Sequence, residues 1–472
     1  MTQDPASVVH ASLKPTFREL LAGVFVVLTR LPFLGHGYGS DADAWRVVLA
    51  GQHLLETGHY LPSRPPGYPL PEYVAALLMH LGLSTPFWLA LPSTILSGIL
   101  TVLVAMLCRP LGRARALSAA LLLAFVPVVY VASIGAMDYL WGLSFFVAAT
   151  LCMLRRRVLW SAVFLGLAAA SRPTYALGFL PLLLLLIDVR PRRLWTEGLW
   201  RPALLLALVS GSITLLFFVP AILEIGDRVI HVPAGGGDRL RLILLNGSVY
   251  LFGLVGCLGM AWLVASAVRN RHVAGRPDPG AWWRGLRAWS LTLMGLYTFL
   301  FFRLPDEASY LMPAVLGLIL LLARSANVSA LRLGVVVMAV SSLLGSPTRN
   351  AQGAATVTWR GPVLRDIETQ AQRHCVATLL ARHLAAGGGH EDVITAELRP
   401  QLLVELGRPL SDHVLYTVRM QPDGRRIDTE GVQIPEGDTL AVLDRAVNQE
   451  TEEAPRATAS MTVVNTFSAC PR

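Results

Sequence analysis

Long runs of uncharged, apolar residues recur between residues 20 and 347, separated by short segments that contain arginine. A chain surrounded by lipid must pair its backbone polar groups within its own segments, so such runs are typical of membrane-spanning helices. Charged residues make up only 15% of the 472 residues, whereas soluble proteins carry about 25%. The sequence therefore predicts a mostly α-helical, polytopic membrane protein.

The apolar runs give eleven candidate spans. They cover residues 20–35, 86–107, 116–137, 139–154, 158–171, 174–187, 203–223, 246–268, 288–304, 310–323 and 333–347. The run 73–83 is too short to cross a bilayer, so an interfacial helix is predicted there. Pro173 separates two short spans that are predicted to form a hairpin, because proline ends one helix and begins the next.

Basic residues are unevenly distributed between alternate loops. One set of loops holds most of the arginines, including Arg113, Arg155–Arg157 and Arg190–Arg193. Such loops stay in the cytoplasm, so we expect a cell (inner) membrane protein with a cytoplasmic N-terminus. The other set is then extracytoplasmic and contains Asp41, Asp43, Asp138, Arg172, His231, Arg303 and Glu307.

The C-terminal part has a different composition. Residues 1–347 form the predicted membrane domain, and residues 348–472 a small extracytoplasmic α/β domain with an amphipathic helix over 365–386. Cys375 and Cys470 are the two cysteines expected outside the membrane. They either form a disulfide that fixes the C-terminal tail or remain two buried thiols.

The net charge of +9 does not indicate nucleic-acid binding. Residues 349–472 contain 13 Arg and 16 Asp plus Glu. The basic excess therefore lies in the short membrane loops, where it sets topology, and the clustered basic face of nucleic-acid-binding proteins is missing from the sequence pattern.

The first outer loop, about residues 36–85, concentrates the polar residues. Ser40 or Asp41 can cap a short amphipathic helix that Gly58 ends, and a proline cluster follows at SRPPGYPL. Carboxylates at Asp41 and Asp43 can activate a hydroxyl as general base or hold a divalent cation. Helix capping on a solvated loop is the structural alternative.

Several motifs resemble the GT-C glycosyltransferases, a superfamily that includes dolichyl-phosphate-mannose and aminoarabinose transferases and relatives of the lipopolysaccharide-core enzymes. The order is an apolar helix ending in RLPF, the acid pair, GHY and the proline cluster. The likeness continues through ASIGAMDYLWGL at 132–143, VFLGLAAASRPTYALGFL at 163–180 and EASYLMPAV at 307–315. It spans about residues 20–345 and implies a GT-C-like helical bundle.

This resemblance implies an inverting transfer of a sugar from a polyprenyl-phosphate carrier to a glycan, lipid or protein hydroxyl at the outer membrane face. Asp43 best matches the family's first-loop catalytic acid, and Asp41 would support it. The family's acids are often adjacent, whereas Ala42 separates these two, which leaves the base open between them. Arg64 and Arg172 are candidates for the lipid phosphate, because arginine offers a planar pair of donors; headgroup contact is the alternative.

Other outer-side residues complete the predicted site. Asp138 and Arg46 are expected to contribute to donor binding, and an acid at the depth of Asp138 is usually functional. A further group of candidates has weaker support and comprises His231, Arg303, Glu307 and Tyr310. No ligand spacing in the sequence specifies a metal, so a divalent cation is left open, with Asp41 and Asp43 as its ligands if one binds.

Three other functions are consistent with the sequence. A polytopic transporter or flippase would also carry ionisable residues near its spans, although transporters often show internal repeats that this chain lacks. A non-catalytic GT-C-like assembly subunit would keep the same acids. A transferase with a lipid-linked oligosaccharide or phospho-sugar donor is the third.

Overall fold

The structure is a computed structural model of the full chain. It describes residues 14–226, 239–270, 280–349 and 355–385. Short segments at 392–394, 404–405, 419–420, 426–427 and 440–442 are also described.

The described chain is mostly helical, as predicted. Its α-helices are α1 Phe17–Arg30, α2 Ala42–Thr57, α3 Pro69–His80, α4 Pro86–Cys108, α5 Arg113–Ala124, α6 Pro127–Ala132, α7 Tyr139–Leu154, α8 Val158–Ser171, α9 Phe179–Leu186, α10 Arg193–Thr196, α11 Trp200–Ile225, α12 Arg239–Leu244, α13 Tyr250–Phe252, α14 Leu254–Arg269, α15 Gly280–Arg303, α16 Met312–Ser325, α17 Val328–Leu343 and α18 Pro362–Ala385. The strands are β1 Leu344–Arg349, β2 Ala355–Arg360, β3 Asp392–Ile394, β4 Arg419–Met420, β5 Arg426–Ile427 and β6 Leu440–Val442.

Several described helices are long and apolar enough to cross a membrane. They are Pro86–Leu111, Trp200–Glu224 and Ala308–Ser325, with a bent pair, Arg239–Phe252 and Leu254–Arg269, as a fourth if it counts as one span. The Trp200–Glu224 helix exposes leucines such as Leu216 and Leu223, as a lipid-facing surface would. Other apolar helices are shorter, so the count of eleven spans stays a prediction.

Two predicted single spans are interrupted. The span 116–137 is divided because α5 ends at Ala124 and Pro127 begins α6, as proline has no N–H to continue the helix. The span 246–268 is divided at Gly253, which has φ +71° and lies between two helices bent by 85°. A side chain there would collide with Ser341, so both the conformation and the close packing require glycine.

Small residues allow the helices of the bundle to approach closely. A Cβ added to Gly98 of α4 would lie 2.8 Å from the Gly23 carbonyl oxygen of α1. Helices α4, α7 and α8 continue the packing, and α8 contacts α11. The interior is filled by aliphatic and aromatic side chains, among them Leu100, Leu140 and Phe146.

The loop of residues 36–85, predicted as the first outer loop, folds into α2 and α3, which pack on each other. Asp41 caps α2, since its Oδ1 accepts the Asp43 N–H at 2.9 Å. Gly58 ends the helix in the left-handed conformation, at φ 72°. Trp45 is fully buried and donates from Nε1 to the Gly39 carbonyl at 2.9 Å. The predicted cap, helix and stop are confirmed, and Trp45 fixes the acid-bearing end of α2 in place.

The C-terminal segment returns to the bundle. β1 pairs antiparallel with β2, with Leu344 opposite Arg360. α18 follows and packs against α6 and α17, which confirms the amphipathic helix predicted over 365–386. Beyond it, β3 pairs in parallel with β6, and β4 antiparallel with β5. Most residues after 385 lie outside the described part, so the separate α/β domain from residue 348 stays a prediction.

Candidate active site

The two first-loop aspartates lie at the N-terminal end of α2 and have different surroundings. The Asp43 side chain is 8% exposed, and its Oδ1 lies 2.6 Å from Arg46 Nη1, one helical turn later. Its other oxygen, Oδ2, contacts Arg64 Nη1. Asp43 is therefore engaged on both oxygens by guanidinium groups, whereas Asp41 makes the helix cap.

Arg64 reaches Asp43 from the proline cluster. Its guanidinium lies 3.5 Å from Glu307 Oε1 and 4.7 Å from the centre of the Tyr68 ring. The loop that carries Arg64 is held by Glu72, which is buried and accepts hydrogen bonds from Tyr60 and Ser63 and from the backbone of Tyr68. Glu72 is not among the predicted site residues, although a lone acid inside a proline-rich, apolar segment indicates a buried, hydrogen-bonded carboxyl group.

Arg172 and Asp138 form a second, more deeply buried pair. Arg172 Nη1 lies 2.6 Å from Asp138 Oδ2, with side chains 3% and 2% exposed. Tyrosine rings surround the guanidinium, at 5.4 Å for Tyr68, 3.8 Å for Tyr139 and 4.7 Å for Tyr310. Such rings stabilise a cation that has left water.

Glu307 links the two pairs. Its Oε1 is 3.5 Å from Arg64 and its Oε2 is 3.7 Å from Arg172 Nη2. The side chain is 21% exposed, into a small cavity. Burial raises the pKa of the Glu307 carboxyl to about 8, against the lowering effect of Arg64. These residues form one acid–arginine cluster, which consists of Arg46, Arg64, Arg172, Asp43, Asp138 and Glu307.

A cavity of about 190 Å³ adjoins the acid–arginine cluster. Asp41, Tyr139 and Glu307 line it on the cluster's side, and Asp366 and Gln370 of α18 line it as well. No arginine or lysine of the described chain lines this cavity. It is smaller than the roughly 300–1,000 Å³ of pockets for drug-sized ligands, so it fits a small polar group.

Three carboxylates are close enough to share a cation. Ligand oxygens of Asp41, Asp43 and Glu307 all lie within 4.8 Å of one another. Carboxylate oxygens suit Mg²⁺, Mn²⁺ or Ca²⁺. The donor set fits a divalent cation, and Glu307 adds a ligand to the two that the sequence suggested.

The structure brings together most of the predicted site residues. Those in contact are Asp41, Asp43, Arg46, Arg64, Asp138, Arg172, Glu307 and Tyr310. Arg303 is exposed at the end of α15, where its carbonyl accepts a hydrogen bond from Arg239, and none of the contacts above involves it. His231 and Cys470 lie outside the described residues, so the role of His231 and the Cys375–Cys470 disulfide stay predictions.

Asp366 and Gln370 are two further site residues that the sequence pattern did not indicate. They lie in a segment that the motifs do not cover, more than 300 residues from Asp41 in the chain. Their spacing of four places them on one face of a helix, but nothing in the sequence indicates which surface that face contacts.

The fold and the site define a polytopic membrane protein with a charged cluster and a small cavity formed from the loop of residues 36–85, several helix ends and a C-terminal helix. The model of the family described as dolichyl-phosphate-mannose-protein mannosyltransferase matches residues 63–217. No curated protein sequence matches the chain significantly.

Solved structures share the fold at low sequence identity. ArnT from Cupriavidus metallidurans, solved with undecaprenyl phosphate, is similar with a TM-score of 0.59 at 13% identity, over 84% of this chain and 85% of ArnT. The oligosaccharyltransferase AglB from Archaeoglobus fulgidus, solved with an inhibitory peptide and a dolichol-phosphate, has a TM-score of 0.51 at 13% identity. That match covers 83% of this chain and 64% of AglB. The predicted resemblance to the GT-C superfamily of membrane glycosyltransferases is confirmed.

Proposed function

We propose that this protein is an inverting glycosyltransferase that moves a sugar from a polyprenyl-phosphate carrier to a hydroxyl acceptor at the outer face of the cell membrane. The observation that carries the proposal is the convergence of two arginines, Arg64 and Arg172, with the acids Asp41, Asp43 and Glu307 beside one cavity. Arginine side chains can stabilise the departing phosphate, and a carboxylate can activate the acceptor hydroxyl.

The two arginines bind the carrier phosphate. Arg64 Nε and Arg172 Nη2 are buried and have no hydrogen-bond partner among the described residues. A buried N–H without a partner costs free energy, which phosphate oxygens would recover. The Arg64 side chain is 21% exposed and that of Arg172 is 3% exposed. We therefore expect Arg64 to contact the carrier phosphate first and Arg172 to contribute positive charge from the interior of the site.

One first-loop aspartate acts as the general base. The acceptor O–H gives its proton to this carboxylate while the oxygen bonds to the anomeric carbon of the sugar. The bond from that carbon to the phosphate oxygen breaks, and the electron pair leaves with the polyprenyl phosphate. A single displacement inverts the anomeric centre. We favour Asp41, because it lines the cavity while both oxygens of Asp43 contact arginines; Asp43 is the alternative that the family spacing suggests.

A divalent cation, if bound, would be held by Asp41, Asp43 and Glu307 and would supply positive charge to the leaving phosphate. The side chains of Arg64 and Arg172 supply such charge without it. Addition of a chelator to the assay below measures the metal requirement directly.

The test is sugar transfer by the purified full-length protein in nanodiscs, with a panel of radiolabelled polyprenyl-phosphate sugars and a membrane extract as acceptor. Free polyprenyl phosphate and labelled product are measured for wild type, Asp41→Asn, Asp43→Asn and Glu56→Gln. Glu56 is a matched control, as an exposed acid at the other end of α2. Loss of a general base costs about 10²–10⁴-fold in rate.

The aspartate variants separate the two base assignments. A loss of that size for Asp41→Asn, with a smaller one for Asp43→Asn, supports Asp41; the reverse order assigns the base to Asp43. A wild-type protein that binds the lipid-linked sugars and consumes none of them overturns the proposal in favour of a transporter or a binding subunit.

A further inference from the structure

The C-terminal helix α18 lies directly on the first outer loop. Ser40, the residue before Asp41, donates a hydrogen bond from Oγ to Asp366. Arg373 Nη1 donates to the Ser40 carbonyl oxygen. A Cβ added to Gly37 would lie 2.9 Å from the Gln370 carbonyl oxygen. These contacts fix one face of α18 against the catalytic loop.

That face supplies two polar side chains to the cavity. Asp366 and Gln370 both line it and are 8% and 1% exposed. Gln370 Nε2 donates to Asp366 Oδ2 at 2.6 Å, which fixes the orientation of the amide. Burial also raises the pKa of the Asp366 carboxyl to about 6, although hydrogen bonds from Ser40 and Gln370 oppose this.

Two polar atoms on residues that line this cavity are buried without a hydrogen-bond partner among the described residues. They are Gln370 Oε1 and the Tyr139 hydroxyl. Most buried polar atoms in proteins are paired, so two unpaired ones beside one cavity indicate a bound polar group. The amide oxygen accepts hydrogen bonds and the hydroxyl can accept or donate, which matches a ligand with hydroxyl groups.

The lining of this cavity is better suited to a neutral polar ligand than to a phosphate. Asp41, Glu307 and Asp366 line it, and no described arginine or lysine does. The phosphate-binding arginines lie on the far side of Glu307, which contacts both of them. Asp41 and Glu307 therefore separate the side that holds the arginines from a side lined by carboxyl and amide groups.

We propose that Gln370 and Asp366 bind a sugar hydroxyl of the acceptor, so that the C-terminal segment completes the acceptor subsite. This inference rests on the proposed glycosyl transfer, because the proposed function places Asp41 and Glu307 between the site of the donor phosphate and the site of the acceptor. Gln370 Oε1 accepts a hydrogen bond from the sugar hydroxyl, and the Asp366 carboxyl orients the Gln370 amide. Acceptor choice is then set by the C-terminal helix, and donor choice by the first outer loop.

The test measures sugar binding without turnover. Binding of a panel of methyl glycosides to the full-length protein in nanodiscs is followed by saturation-transfer NMR, with and without saturating undecaprenyl phosphate. The variants are Gln370→Met, Asp366→Asn and the matched control Gln372→Met, which lies on the same helix and does not line the cavity. Thermal melting confirms that each variant is folded.

We expect wild type to bind at least one glycoside with undecaprenyl phosphate present. Gln370→Met should weaken that binding about tenfold, the effect of losing one buried hydrogen bond, while binding of undecaprenyl phosphate and the Gln372→Met variant stay unchanged. Equal glycoside binding by Gln370→Met and wild type, or no glycoside binding by wild type, overturns the inference.

Two further outcomes separate this inference from the proposed function. If a lipid-linked sugar donor displaces the glycoside competitively, the cavity holds the donor sugar, and the acceptor assignment is wrong although transfer stands. If glycosides bind through Gln370 but no donor is ever consumed in the transfer assay, the transferase proposal fails and the acceptor role fails with it.

Discussion

Arg172 and Asp138 form an ion pair of 2.6 Å with almost no exposed side-chain surface. The two residues lie 34 positions apart, at the ends of neighbouring helices α7 and α8. Moving both charges out of water costs free energy. If one partner is removed, the other charge stays buried without a partner, and the cost is larger. The pair therefore couples the packing of two helices to the charge of the candidate active site.

Removal of one partner should destabilise the protein more than removal of both. For a buried pair, a single change such as Arg172→Met or Asp138→Leu costs about 3–5 kcal/mol. The double variant leaves no isolated charge and should recover part of the lost melting temperature. Melting in detergent, followed by intrinsic fluorescence, measures this, and single variants that melt like wild type would contradict the buried pair.

Arg64 should control the affinity for the carrier phosphate. Arg64→Gln removes charged donors, and such hydrogen bonds contribute about 1.5–3 kcal/mol. We expect the dissociation constant of undecaprenyl phosphate to rise about 10- to 100-fold. Arg303→Gln is the control, because Arg303 is exposed at the end of α15. Equal weakening by both changes would indicate a general charge effect and not a site.

Gly98 should be required for the contact between α1 and α4. A Cβ at this position would lie 2.8 Å from the Gly23 carbonyl oxygen, and overpacking of this kind costs about 1–3 kcal/mol. Gly98→Val should therefore lower the melting temperature, whereas Ile99→Val, at a neighbouring side chain that is 44% exposed, should not. An unchanged melting temperature for Gly98→Val would contradict the requirement for close packing between α1 and α4.

The sequence was most informative where a feature is local. The cap at Asp41, the stop at Gly58 and the helix between them depend on neighbouring residues, and the structure has all three. Counting charges in alternate loops predicts that Asp43, Asp138 and Glu307 lie on one side of the membrane, and these acids do meet in one cluster. Which side of the membrane they face stays a prediction.

Long-range features were not predictable from one chain. The contact of Ser40 with Asp366 joins residues 326 positions apart, and helical periodicity gives no partner for a helix face. Hydropathy does not predict the interruptions at Pro127 and Gly253, because it averages over a window and is insensitive to single backbone-breaking residues.

Glu307 should make phosphate binding depend on pH. Burial raises the pKa of its carboxyl to about 8, so Glu307 is mostly neutral at pH 7 and becomes charged as the pH rises to 9. The charged form competes with phosphate for Arg64 and Arg172, which lie 3.5 and 3.7 Å away. The affinity for undecaprenyl phosphate should therefore fall between pH 7 and 9 in wild type. It should stay constant in Glu307→Gln, which is neutral throughout. Titrations of both proteins at several pH values measure this, and an identical decline in the two would assign the pH dependence to another group.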